Sequence, residues 1–379
     1  MLIQDQQMMA QHAPDNPGAP GSGNMKIKFT NPNIDNYEGN IKYAAQLHKE
    51  KHIQMASRDS LKGRNAIVCG SGPSLKDPKV LKRIKRKLNK GYLLFACKGA
   101  IKFLYEKGIK VDYGVTMDPG AHIARPDRKI YRAPGTTHIL ASSSDKLLFD
   151  YMLSELPYGE WLNSLTEEEQ KRVLMADFDK WKNDGFRPDV SKGKQLVEDH
   201  PAKVLIFHSA TGLKNELNLY KTLFSDGSCM GGGYNVVNRA ISIARYMGID
   251  HITLAGVDSG WRMNDDFYVD GPAMMDGVNM CDNGKIELTP QEQNEYANML
   301  QIIDSEEKLN QLPQKVRERY RVLNSKVWMT RPDMLASAVA MAKMIKKEPD
   351  RYDVIGDAMP AFLVKKDDEF LARVANFNG

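Results

Sequence analysis

Short continuous apolar runs, each followed by a stretch with helical spacing, set the pattern of this chain from residue 65 onward. Ala66-Ile67-Val68-Cys69 is bounded by Gly70 and has the pattern of a strand buried on both faces of a parallel sheet. Asp77 and Pro78 then suit the N-cap and first position of a helix. Val80, Leu81, Ile84 and Leu88 recur at helical spacing until Gly91 stops it. Tyr92–Cys97 predicts a second strand, Ala100–Glu106 a helix ending near Gly108, Val111–Met117 a third strand ending at Asp118-Pro119, and His138–Ala141 a fourth. Between residues 146 and 201 the strand signal disappears and charge runs take over. Thr166-Glu167-Glu168-Glu169 opens a helix there through a capping-box-like start. Val204–Phe207 resumes the sheet, Tyr234–Met247 predicts a helix closed by Gly248, and Ile252–Ala255 predicts a strand leading into Gly256-Val257-Asp258-Ser259-Gly260.

Thr289-Pro290-Gln291-Glu292 is a further helix start, running to about Leu309, before a strand over Tyr320–Met329 and a helix over Met334–Lys346. Strands alternating with helices predict βαβ units, hence an α/β fold: a doubly wound, Rossmann-like parallel sheet with a helical insertion and a helical C-terminal region. The expected divisions are a disordered lead-in over 1–24, a helical N-terminal extension over 25–64, and the first half of a nucleotide-binding α/β domain over 65–145. The helical insertion over 146–201, the second half of the domain over 202–288 and a mostly helical C-terminal region over 289–379 follow.

Composition narrows the setting. With 379 residues, 42% of them hydrophobic, the chain can bury a substantial core without staples. Cys69, Cys97, Cys229 and Cys281 form no C-x-x-C pair, and the first two sit in apolar runs, as expected of a reduced, cytoplasmic protein. No stretch approaches the roughly 18 apolar residues of a membrane span, and no basic-then-apolar leader is visible, so no membrane partner is expected. The net charge of +5 is mild, yet Lys76, Lys79, Lys82, Arg83, Lys85, Arg86, Lys87 and Lys90 fall in one stretch. A solvated helix face and an electrostatic guide for nucleotide or DNA through Lys79–Lys90 both fit that cluster.

The Gly70-Ser71-Gly72 turn between strand and helix suits a phosphate, because glycine admits close backbone approach and the helix N-terminus adds partial positive charge. A tight turn with no ligand has the same sequence. It is not a dinucleotide fingerprint: Leu75 stands where a third glycine is needed, and Cys97-Lys98 where an acid would meet the ribose. No G-x-x-x-x-G-K-[ST] occurs either. Asp118 lies just past the third strand, fit for a helix cap, a Mg²⁺ ligand or a nucleotide contact. Asp258 is placed likewise after its strand, and Gly231-Gly232-Gly233-Tyr234-Asn235 precedes a helix as a second backbone-lined anion site. His122 and, after the strand at Phe207, His208 are candidate general bases or phosphate donors, although a lone loop histidine commonly has neither role. The segment Ser259–Ile286 is the candidate lid.

The stretches "AIVCGSGPSL", "LLFACKGAIKFLYEKGIKVDYGVTMDPG" and "GGGYNVVNRAISIARYMGIDHITLAGVDSG" resemble, in order, the core motifs of the MptE-like domain family. That family groups archaeal 6-hydroxymethylpterin diphosphokinases with bacterial motility accessory factors, flagellin glycosyltransferases that use nucleotide-activated sugars. The Gly-x-Gly-Pro-Ser-Leu turn also resembles the nucleotide-binding turn of some bacterial sialyltransferases. The resemblance implies that Gly70, Ser71, Gly72, Pro73 and Ser74 cradle a nucleotide's phosphates, with Asp118 in the same pocket, with or without Mg²⁺. Gly232, Gly233, Asn235 and Asp258 complete the cleft, and Lys98 stands where relatives often carry an uncharged residue. The expected activity is a transferase moving a sugar from a nucleotide-sugar donor to a hydroxyl acceptor such as a protein or a modified DNA base, with His122 or Asp258 as base. The alternatives are a diphosphokinase transferring pyrophosphate from ATP to a hydroxymethyl group, and a nucleic-acid-binding module.

Overall fold

The computed structural model describes residues 36–125, 131–175, 178–184, 201–209, 216–224, 228–231, 235–259, 310–311, 320–323, 326–329, 332–369 and 371. In chain order the strands are β1 (Gln54–Met55), β2 (Asn65–Cys69), β3 (Leu93–Cys97), β4 (Tyr113–Thr116), β5 (Thr137–Ala141), β6 (Lys203–Ser209), β7 (Cys229–Met230), β8 (His251–Ala255), β9 (Tyr320–Leu323), β10 (Lys326–Met329) and β11 (Tyr352–Ile355). Helices α1 (Tyr37–Lys49), α2 (Pro78–Leu88), α3 (Gly99–Glu106), α4 (Lys146–Leu153), α5 (Tyr158–Ser164), α6 (Glu167–Leu174) and α7 (Phe178–Asp184) precede β6. After it come α8 (Glu216–Phe224), α9 (Val236–Tyr246), α10 (Pro332–Lys347) and α11 (Met359–Leu363).

The main sheet runs β1-β6-β5-β4-β3-β2-β8-β11, with every neighbouring pair parallel and β7 added alongside β6. From β2 the chain winds outward through β3, β4, β5 and β6, then returns to the other side of β2 as β8. The order therefore reverses between β2 and β8, and in open α/β sheets the crevice at such a switch point receives the ligand. Helices cover both faces, which is why β2, β3, β5 and β8 each bury four residues in succession. One face packs Ile67, Cys69, Leu94 and Ala96 against Val80 and Ile84 of α2 and Ala100 and Leu104 of α3. The other packs Ala66, Val68, Phe95 and Val115 against Ala240, Ile241 and Ala244 of α9. A third cluster joins Leu140, Val204 and Ile206 to α1 and to the helices of the insertion.

Local chemistry explains the element ends. Asp77 caps α2 by accepting from the Lys79 amide at 2.8 Å, and Gly91 takes the left-handed conformation beyond it, with φ 83°. Thr166 and Glu169 form the reciprocal capping box of α6.

Three features depart from the sequence pattern. The Tyr320–Met329 run is two antiparallel strands, Leu323 opposite Lys326, because apolar periodicity does not register a chain reversal. Gln54–Met55, in the N-terminal extension, pairs with Leu205–Ile206 as an edge strand too short to carry a pattern. Tyr352–Ile355, in the C-terminal region, pairs with β8 and brings the loop Gly356-Asp357 to the same sheet edge as Asp258. The expected lead-in over 1–24, the helix over 289–309 and the lid beyond Ser259 lie outside the described residues. Among the described residues no helix is long and apolar enough to cross a membrane.

Candidate functional site

The carboxyl ends of β2 and β8 are joined more tightly than a strand ladder requires. Past the last strand pairing, the Gly70 amide donates to the Ala255 carbonyl at 2.9 Å and the Gly72 amide to the Gly256 carbonyl at 2.8 Å. A Cβ at Gly70 would overlap the Gly256 carbonyl oxygen, and one at Gly72 would overlap Asp258 Oδ2. Glycine stands at both positions because two backbones meet there. Asp258 Oδ2 then accepts from the Ser74 amide at 3.2 Å and from the Ser74 hydroxyl at 2.9 Å.

This geometry corrects two sequence expectations. The amides of Gly70, Gly72 and Ser74 bind the β8 loop, so they are not the phosphate cradle that the turn suggested. Nor does a helix N-terminus face the turn, because Pro73–Lys76 forms one 3₁₀ turn and α2 begins only at Pro78, under its own acidic cap Asp77. Ser71, Pro73 and Ser74 remain half-buried at the rim. Asp258, expected as a base, is 3% exposed and works as the clamp that holds the β2 loop on the β8 loop. Burial pushes its carboxyl up to about 7, against the lowering pull of the two Ser74 hydrogen bonds and with an added push from Asp357.

One strand further along, Lys98 follows β3 and Asp118 follows β4. Lys98 Nζ lies 3.1 Å from Asp118 Oδ2, and the Gly120 amide donates to Asp118 Oδ1 at 3.1 Å. Burial pushes the Asp118 carboxyl up. The charges of Lys98 and His122, the Gly120 amide and the Lys98 hydrogen bond together outweigh it and hold the group below the usual carboxylate range. Asp118 is therefore ionised at neutral pH. His122, in the 3₁₀ turn Ala121–Ile123, is half-buried beside it. Lys98 itself has φ 45° and ψ −120°, a sparsely populated conformation for a residue with a side chain.

From the opposite face, α9 brings its N-terminal turn over the same edge. Asn235 caps it, accepting from the Asn238 amide at 3.1 Å, which gives this residue a structural task where a ligand contact was expected. The Cys97 thiol reaches the Val236 carbonyl at 3.8 Å, placing the helix start over β3. Asn238 is 7% exposed and its Oδ1 has no hydrogen-bond partner; Thr116 Oγ1, at the end of β4, is buried and without one as well. Neither residue carried a sequence signal, since both sit inside regular elements. Gly232 and Gly233 lie outside the described residues.

His208 does not join the cleft. It is fully buried, with Nδ1 2.9 Å from Ser142 Oγ and its ring stacked on Tyr220 at 4.2 Å. Burial also pushes the Cys69 and Cys97 thiols up, Cys97 to about 12, so neither is a thiolate nucleophile. For Mg²⁺, the described residues contain no group of three His, Cys, Asp or Glu able to hold a metal. Asp118, the expected ligand, accepts one hydrogen bond on each oxygen, from Lys98 and from the Gly120 amide.

Residues 35–156 match the family model MptE-like, described as 6-hydroxymethylpterin diphosphokinase MptE-like. No curated protein matches the chain. Among solved structures the chain is similar to the MAf glycosyltransferase from Magnetospirillum magneticum AMB-1, at 15% identity and a TM-score of 0.40. The alignment covers 89% of this chain and 42% of that one, so this chain spans less than half the length of that protein. The matched family segment holds Gly70–Ser74, Lys98, Asp118 and His122, while Asn235 and Asp258 lie beyond it. Over residues 35–156, then, the resemblance drawn from the first two motifs is met by the matching family model.

Proposed function

We propose that the chain is a nucleotide-dependent transferase, and that its donor lies with its phosphates over the carboxyl edge of β2, β3 and β4. The observation that carries this is the convergence at the switch point of the half-buried Ser71–Ser74 rim, the Lys98–Asp118 pair and the start of α9. We favour a nucleotide-sugar donor. Pyrophosphate transfer from ATP calls for Mg²⁺, and among the described residues no group of three His, Cys, Asp or Glu stands ready to hold a metal. In the favoured reaction the acceptor oxygen bonds to the anomeric carbon as the carbon–oxygen bond to phosphate breaks, its electron pair leaving with the phosphate. The acceptor proton passes to the His122 imidazole. The exposed cations along α2 support an acceptor hydroxyl carried on an anionic molecule, nucleic acid included.

The description of the family model matched over residues 35–156 favours a second reading, a diphosphokinase acting on ATP. Thermal shift with a panel of nucleotides and nucleotide sugars, with phosphorus NMR of the mixtures, separates the two. Stabilisation by one nucleotide, with slow release of its sugar to water, supports sugar transfer. Stabilisation by ATP alone, and only with Mg²⁺, moves the assignment to the diphosphokinase. No response to any nucleotide overturns both.

A further inference from the structure

We propose that Lys98 takes the place of a divalent cation in this cleft: Asp118 holds the ammonium, and the donor's phosphate takes it over on binding. This rests on the assignment of the cleft as a nucleotide site. It adds that donor binding is independent of metal and that Asp118 opposes it.

A cation at Asp118 would need further protein ligands around the carboxylate, and among the described residues no group of three His, Cys, Asp or Glu supplies them. Oδ2 instead carries the Lys98 ammonium at 3.1 Å and Oδ1 the Gly120 amide at 3.1 Å. A metal brought to Oδ2 would displace that ammonium and face its repulsion. The position of Lys98 suits the exchange. Its strand, β3, lies between β2 and β4, so Lys98 sits one strand from the Ser71–Ser74 rim and one from Asp118, spacings of roughly 5 Å each. The four-carbon stem of lysine carries three donors across such a gap.

The backbone points the same way. At φ 45° and ψ −120° a glycine would rest without strain, and Lys98 forms no side-chain cap for the helix it precedes. The side chains of the pair are 27% and 26% exposed, so the ammonium can be reached from the cleft, and hydrogen bonds from an ammonium to phosphate are among the strong ones.

The test is calorimetric titration of the full chain with CMP, UDP, GDP and ADP, in EDTA and in Mg²⁺. The variants are Lys98→Met, Lys98→Arg, Lys98→Gly and Asp118→Asn. The expected result is that one nucleotide binds in EDTA within about twofold of its affinity in Mg²⁺, and that Lys98→Met weakens it at least about tenfold while Lys98→Arg retains most of it. Asp118→Asn removes the carboxylate charge that opposes the exchange and binds as tightly as wild type or more so. Lys98→Gly melts at or above the wild-type temperature yet binds as poorly as Lys98→Met, which separates loss of charge from loss of fold.

Binding that requires Mg²⁺ and vanishes in Asp118→Asn makes Asp118 a metal ligand and overturns the inference, leaving the nucleotide site standing. Unchanged affinity in Lys98→Met overturns it too. No binding of any nucleotide in either buffer removes the transferase assignment itself, and the inference with it.

Discussion

Asp258 Oδ2 binds both the amide and the hydroxyl of Ser74, at 3.2 and 2.9 Å, across 184 residues of sequence. The contact closes the gap between the β2 and β8 loops where the strand order reverses. It gives one cause for three features of the chain: the two glycines that leave room, the serine that donates twice, and the buried acid that accepts. A carboxylate this deeply placed is costly unless hydrogen-bonded, and Ser74 supplies the bonds.

Its protonation should register in stability. The Asp258 carboxyl is pushed from 3.8 up to about 7, so the folded protein holds a proton that the unfolded chain releases. The stabilisation from that proton is complete below the unfolded value and is lost as pH rises through the folded one. Asp258→Asn removes the titration while keeping an acceptor for Ser74. Urea denaturation at about pH 5 and about pH 8 should show wild type losing stability relative to the variant, by at most about 1.4 kcal/mol per pH unit in the window. A difference between the two proteins that stays constant with pH would place the titration elsewhere.

Gly72→Ala tests the close approach itself. The added Cβ overlaps Asp258 Oδ2 and comes within 2.7 Å of the Gly256 carbonyl oxygen, both part of the clamp. The expected cost is about 2–4 kcal/mol, read from the denaturation midpoint. Gly91→Ala, at a position with nothing within 4 Å but φ 83°, should cost less, about 1 kcal/mol, through backbone strain alone.

Arg132 is fully buried and caps the end of the α4 segment. Nη1 donates to the Tyr151 and Ser154 carbonyls, each at 2.8 Å, Nη2 donates to the Leu156 carbonyl at 2.7 Å, and the guanidinium lies 4.4 Å from the Tyr151 ring centre. Arg132→Leu removes these three hydrogen bonds and should destabilise the fold by about 3 kcal/mol or more. Arg132→Lys should recover less than half, since an ammonium lacks the planar fork. Calorimetric melting of the two variants checks both statements.

The basic face of α2 should matter for contacts and not for folding. Lys79, Lys82, Arg83, Lys85, Arg86 and Lys90 are exposed, whereas Lys87 is tied to Asp353 at 3.2 Å and to the Tyr92 ring. Replacing Lys82, Arg83 and Arg86 by Glu should leave the melting temperature within about 2 °C of wild type, because surface charges contribute little to folding. Elution from an immobilised DNA column should move to markedly lower salt. Wild type that fails to bind DNA at low salt would reduce this face to a solvated one.

Much of this molecule is local and therefore visible in the chain itself. The buried strands β2, β3, β5 and β8 follow from short apolar runs ended by glycine or by a polar residue at the sheet edge. The starts of α2 and α6 follow from Asp77 and Thr166, whose short side chains satisfy the first amides of the helices behind them. Alternation of the two patterns was enough to imply a parallel sheet wound on both sides. The sequence also placed Asp118, Lys98 and Asp258 at one edge, because residues that follow parallel strands must gather there.

What each of those groups does was decided only in three dimensions. Whether the glycine turn offers its amides to a ligand or to a neighbouring loop depends on β8 lying beside β2, a pairing made across more than 180 residues. That same adjacency turned Asp258 from a candidate base into a clamp, and packing in the core turned His208 from a candidate base into a stacked side chain. Strand β11 became part of the sheet, and Asp357 a neighbour of Asp258, through pairing with β8 that four residues of sequence do not encode. Propensity and capping act over a few residues and are written locally. Partner choice, burial and charge environment belong to whatever the fold brings alongside, and only the folded chain supplies them.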